Sequence, residues 1–92
     1  MYVLSARLVF YIPHALTLKD KRQVSRSLIQ KTKQRYNASI AEIDTQDIHQ
    51  TLTIGIAVVS GSMAHGENSL NEVVRFLELN EDAQLQEVEY FD

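Results

Sequence analysis

Lys19, Lys21, Arg22, Arg26, Lys31, Lys33 and Arg35 stand within one 17-residue stretch that contains a single acid, Asp20. The chemistry open to them is capture of negative charge. Fixed cations gathered this closely create a strong local positive field, and a row of ammonium and guanidinium groups suits the phosphates of a nucleic acid backbone. The chain as a whole is acidic, with a formal net charge of -3. Its last 26 residues carry eight carboxylates and only Arg75. The two signs are therefore segregated along the sequence. On a wheel of about 100° per residue, Lys19, Arg22, Arg26 and Lys33 fall within about 60° of one another, opposite Val24 and Leu28. They form a ridge ~20 Å long at ~1.5 Å per residue. Lys19, Lys21 and Arg22 also crowd the first turn of that helix, where the dipole is already positive. An anion seated there would meet free backbone N–H groups as well as these three side chains. The competing account is an ordinary solvated helix face, and charge pattern alone does not separate the two.

Other sets of residues offer less. Glu42, Asp44 and Asp47 with His49 have the oxygen and nitrogen donors that suit magnesium or manganese. Their spacing matches no distinctive ligand pattern, and most lie in a polar connection, so turn chemistry is expected and no metal site is assigned. Glu42 falls inside a strand and is expected to pair with Arg7 across the open face of a sheet. Ser62 with His65 suggests a nucleophile and base, but there is no G-x-S-x-G elbow and no acid at a recognisable spacing. A capping serine and a first-turn histidine are expected instead. His14, beside Pro13, could add a donor to an anion site ahead of the basic helix. The chain has no cysteine, which excludes disulfides and thiolate zinc sites. No catalytic set and no cofactor are expected.

The elements that must position these residues follow from periodicity. Tyr2 to Ile12 has an apolar residue at every even position, the period of a strand with one buried face, and Pro13 ends it. Thr17 is an N-cap candidate, and a helix is expected over Leu18 to Tyr36 with Val24, Leu28 and Thr32 inward. Asn37 stops it. A shorter strand is expected over Ala38 to Asp44, then a polar connection over Thr45 to Gln50. Thr51 to Ser60 is the clearest strand. Its alternate small residues, Gly55 and Ala57 among them, imply that another layer comes close to that side. Ser62 caps a second helix ending near Asn80, with Met63, Leu70, Val73, Val74 and Leu77 on its inner stripe. Gly66 weakens its first turn by up to ~1 kcal/mol relative to alanine. Leu85 to Phe91 is the last strand.

The order β-α-β-β-α-β implies an α+β, ferredoxin-like domain over residues 1–92: a four-stranded antiparallel sheet with both helices on one face. The even-numbered residues of the first and third strands should lie beneath the helices. The other face should carry Val3, Arg7, Val9, Tyr11, Thr53 and Val59, partly apolar and free to meet a second copy. Hydrophobic residues make up 45% of the chain, which argues against disorder. No segment approaches the ~20 apolar residues of a membrane span. The first strand lacks the basic lead and small-residue cleavage site of a secretion signal, so a cytoplasmic protein is expected.

Four segments together resemble the YlxP-like family of small bacterial proteins, also called domain of unknown function 503. They are Leu18-Lys19-Asp20-Lys21-Arg22, Ser39-Ile40-Ala41-Glu42-Ile43 with Gln46-Asp47, Gly55-Ile56-Ala57-Val58-Val59-Ser60, and Val73-Val74-Arg75-Phe76-Leu77-Glu78. The chain departs from the family at His49, where many members have tryptophan, and at Gly66, where a helix former is usual. The resemblance implies a ferredoxin-like fold and no settled activity. Genes of the family often lie beside those for translation initiation factor two and ribosome-binding factor A, which implies a setting in RNA or ribosome biology.

The function expected on these grounds is non-enzymatic binding. The basic first helix, through Lys19, Lys21, Arg22, Arg26 and Lys33, would contact a polyanion such as RNA in a ribosomal or translational setting. The alternative is a homo-oligomeric interaction or small-ligand sensing module that uses the open sheet face. An enzyme acting on a phosphorylated small molecule comes third, for want of a catalytic base. An RNA-recognition sheet is not expected, because the third strand has no aromatic residue for bases to stack on. The loop Pro13-His14-Ala15-Leu16 does not match the glycine-rich loop of acylphosphatases.

Overall fold

A computed structural model describes residues 1–91. The element order is β1 (Tyr2–Tyr11), α1 (Leu18–Arg35), β2 (Ser39–Glu42), β3 (Thr51–Ser60), α2 (Met63–Glu78) and β4 (Gln84–Phe91). The strands form one antiparallel sheet in the order β2-β3-β1-β4. This is the ferredoxin-like arrangement read from the periodicity.

The alternation of β1 and β3 sets the layers. Leu4, Ala6, Leu8 and Phe10 stand opposite Val58, Ile56, Ile54 and Leu52. All eight are buried and meet Leu28 of α1 and Leu70, Val73, Val74 and Leu77 of α2 in one core. A slip of one residue would turn each of them out to solvent, so burial fixes the register. Side-chain oxygens close both helix starts. The Asp20 N–H donates to Thr17 Oγ1 (3.1 Å) and the His65 N–H donates to Ser62 Oγ (3.4 Å). Tyr36, just after α1, and Phe76 of α2 meet edge to face at 5.4 Å between ring centroids, with the Arg35 guanidinium over both rings.

Three local expectations are corrected. β2 is four residues long and ends at Glu42, where a strand to Asp44 was expected. Met63, expected on the inner stripe, is exposed as the first residue of α2. Gly66 is buried in the first turn of α2, and a Cβ there would stand 2.5 Å from Leu4 Cδ1 and 3.1 Å from Ser60 Cβ. The glycine therefore lets the helix approach the sheet, which offsets its low helix propensity.

The open face is less open than alternation implies. Ile43 lies over Gly55, with its Cδ1 3.2 Å from where a Cβ would be. Thr45 Oγ1 and Thr53 Oγ1 are 2.8 Å apart in a hydrogen bond, and Thr53 is fully buried. At Gly55 and Thr53, the layer implied by the small residues of β3 is thus the chain's own 43–45 segment.

Candidate polyanion-binding face

α1 lies over the β2 side of the sheet, while α2 lies over β3 and β1. The basic helix therefore borders a sheet edge, with its outer side in solvent. Lys19, Arg22, Arg26 and Lys33 are all exposed. Among the described residues only two ion pairs form, Arg7–Asp44 and Lys21–Glu42. None of the four ridge cations is in either pair. A shallow groove of ≈ 430 Å³ runs beside the helix and is lined by Arg22, Arg26 and Lys33, with Ser25, Ile29 and Glu42 on its inner side. The structure thus gathers three ridge cations around one depression. Lys19 stands on the same side, one turn nearer the helix start.

Lys21 does not belong with them. It is 0% exposed. Its ammonium donates to the Thr45 carbonyl (2.6 Å) and the Thr51 carbonyl (3.1 Å), and lies 3.0 Å from Glu42 Oε2. That last contact is ionic and lacks hydrogen-bond alignment, since Oε2 has no hydrogen-bond partner. The other carboxylate oxygen accepts from Ser25 Oγ at 3.2 Å. Two carbonyls thus take Lys21 donors and a carboxylate balances its charge in a position closed to solvent, so nothing remains for an external anion. The assignment of Lys21 to the anion-binding set is corrected on this ground. The sequence held a signal for it. Lys21, Ser25, Leu28 and Thr32 follow the i, i+4, i+7, i+11 spacing of a buried stripe, and all four are buried. A cation at a core position calls for a buried acid opposite, and the strand carboxylate Glu42 is that acid.

The expected pairing of Glu42 with Arg7 is corrected for a related reason. Glu42 stands opposite Ile54 in the β2–β3 ladder, on the helix side. Arg7 stands opposite Gly55, on the other side of the sheet. Arg7 Nε instead donates to Asp44 Oδ2 at 3.0 Å. Glu42 and Asp44 are therefore held on opposite faces by different cations. Among the described residues no group of three or more His, Asp or Glu side chains could hold a metal ion.

The pairing of Lys21 with Glu42 also matters for the groove. Glu42 is the acid that lines the groove, and Lys21 already pairs with it. Arg22, Arg26 and Lys33 line the same groove and form no ion pair among the described residues. Thr45 shows how firmly Lys21 is seated. It has φ 59°, unusual for a β-branched residue. Its carbonyl accepts from Lys21 Nζ and from the Ile48 N–H (3.0 Å). These contacts hold a conformation that costs ~1–3 kcal/mol in isolation.

The remaining candidates are simpler. The Ser62 side chain caps α2, and among the described residues no acid pairs with His65. At the start of α1, the Asp20 carboxylate accepts from the Leu16 N–H at 3.0 Å. One backbone donor that an anion would use there is thus taken by the chain itself. His14 is exposed in the turn before α1. No described helix is long and apolar enough to cross a membrane.

Comparison with known proteins bears on the lineage. A family profile described as "Protein of unknown function (DUF503)" matches residues 3–90. The chain belongs to this family. It is also similar to the "Uncharacterized protein YlxP" of Bacillus subtilis (strain 168), with 37% identity over 62 residues, 67% of this chain and 67% of that protein. The resemblance drawn from the four sequence segments is thus correct. No enzymatic family is indicated, and neither description assigns an activity.

Proposed function

We propose that the chain binds a polyanion, RNA in a ribosomal or translational setting, through Lys19, Arg22, Arg26 and Lys33. The observation that carries this reading is the contrast within one helix. The cation that the fold needs, Lys21, is buried and fully partnered, while the four ridge cations have no carboxylate within 4.0 Å among the described residues. Cations kept only for solubility are usually interspersed with acids. Here the exposed face of α1 carries none: its one acid, Asp20, is half-buried and engaged by the Leu16 N–H. Neighbouring Gln23, Gln30 and Gln34 add amide donors and acceptors beside the cations, suited to sugar and phosphate oxygens. RNA is favoured over other polyanions by the genomic setting of the family.

The test is salt-dependent binding of RNA to the wild type and to Lys19→Glu/Arg22→Glu/Arg26→Glu. Binding by the wild type at low salt and its loss in the triple variant is the expected result. No binding by the wild type at low salt ends the reading.

One observation favours a second use of the molecule. On the open face, Ser5, Ala41, Gly55 and Ala57 floor a shallow saucer of ≈ 330 Å³ between Ile43 and Phe91. A second copy or a flat apolar ligand would fit there. Sedimentation separates the readings: a monomer at every concentration removes the homo-oligomer.

A further inference from the structure

The two edges of the sheet differ. β2 is four residues long and lies under the basic helix, while β4 runs for eight residues with α2 set back over β1 and β3. In an antiparallel ladder, alternate residues turn both backbone groups to the same neighbour. The Ile12 N–H donates to the Gln50 carbonyl, so the even residues of β1 bond toward β3 and the odd ones toward β4. Glu87, Glu89 and Phe91 are the β4 partners of those odd residues. Val88 and Tyr90 therefore turn their N–H and C=O groups to the free edge. Beside that edge, a groove of ≈ 330 Å³ is lined by Leu4, Met63, Leu70, Tyr90 and Phe91, with Glu67 at its rim. Tyr90 is 53% exposed and Phe91 45%. On the other face, Glu87 and Glu89 project from β4 two residues apart and form no ion pair among the described residues.

We infer that β4 is a docking edge for an extended protein segment in which apolar and basic residues alternate. Added strands gain affinity from main-chain bonds and specificity from alternate side chains. The main-chain bonds would go to Val88 and Tyr90. One set of side chains would enter the groove over Leu4, Met63 and Leu70. The other set would meet Glu87 and Glu89. This charge pattern also disfavours a second copy as the occupant. Pairing β4 with its own copy would bring Glu87 and Glu89 against two more carboxylates on one face, which is destabilising. The inference is independent of the polyanion reading, which concerns the opposite edge.

The test uses the full chain and a labelled ten-residue peptide that alternates lysine with isoleucine and phenylalanine, read by fluorescence anisotropy. Two peptides serve as controls: one with glutamate for lysine, and one N-methylated on alternate amides to block edge pairing. Expected are saturable 1:1 binding, a loss of about tenfold or more with the glutamate peptide at low salt, and no binding by the N-methylated one. The exposed double variant Glu87→Lys/Glu89→Lys, checked for fold by circular dichroism, should reverse the preference. Equal binding of the lysine and glutamate peptides overturns the inference, as does undiminished binding of the N-methylated peptide. Absence of binding by the lysine peptide overturns it too, and leaves Glu87 and Glu89 as charges that only keep edges apart.

Discussion

Replacing Lys21 with Met removes an ammonium and keeps nearly the same chain length, so the perturbation is electrostatic more than volumetric. The Thr45 and Thr51 carbonyls lose a charged donor, and Glu42 keeps a carboxylate whose side chain is only 17% exposed. Removing one partner of a buried pair costs ~3–5 kcal/mol. The partial exposure of Glu42 lowers that figure, as does relaxation of the strained Thr45 once its carbonyl is released. A net loss of about 2–4 kcal/mol is expected, or about 10–25 °C in Tm for a domain of this size. Urea unfolding of wild type, Lys21→Met, Glu42→Gln and the double variant forms the assay. The Glu42→Gln change should cost less in the Lys21→Met background than in the wild type, because it then removes an uncompensated charge. Lys21→Met within about 0.5 kcal/mol of wild type, the scatter of an ordinary surface change, would refute the reasoning.

Three further outcomes are expected. A double-mutant cycle should couple Arg7 to Asp44 by about 0.5 kcal/mol and Arg7 to Glu42 by nothing resolvable, since the first pair is partly exposed and the second spans the sheet. Gly66→Val should lower stability by about 1–3 kcal/mol in chemical denaturation, because Leu4 and Ser60 leave no room for the added carbons. Ser62→Ala should cost about 1 kcal/mol through loss of the α2 cap, measured the same way, and should leave polyanion binding unchanged.

What the sequence revealed and what it hid have one physical cause. The alternation in Tyr2–Tyr11 and Thr51–Ser60 is long enough to name its buried face, and Thr17 and Ser62 announce the helix starts by local chemistry. β2 is too short to show a face of its own. Its orientation comes from pairing with β3, a contact between residues distant in sequence, so Glu42 was placed on the wrong side. Lys21 was misread because residue type outweighed position. Its neighbours in the helix are cations, yet its spacing is that of the core. Gly66 was legible as a weak helix residue, but its use depends on Leu4 and Ser60, which reach it only in three dimensions.

The measurement that bears most directly on the central claim is the salt dependence of RNA affinity, with single cations removed in turn. For a single strand, log K should fall with log salt at a slope of about -0.7 per phosphate neutralised, so four ridge cations give about -3. Alanine at Lys19, Arg22, Arg26 or Lys33 should each lessen the slope by about 0.7, while Lys21→Met in folded protein leaves it where it was. A slope near zero in the wild type, or one that Lys21→Met changes as much as Arg26→Ala does, would contradict the account.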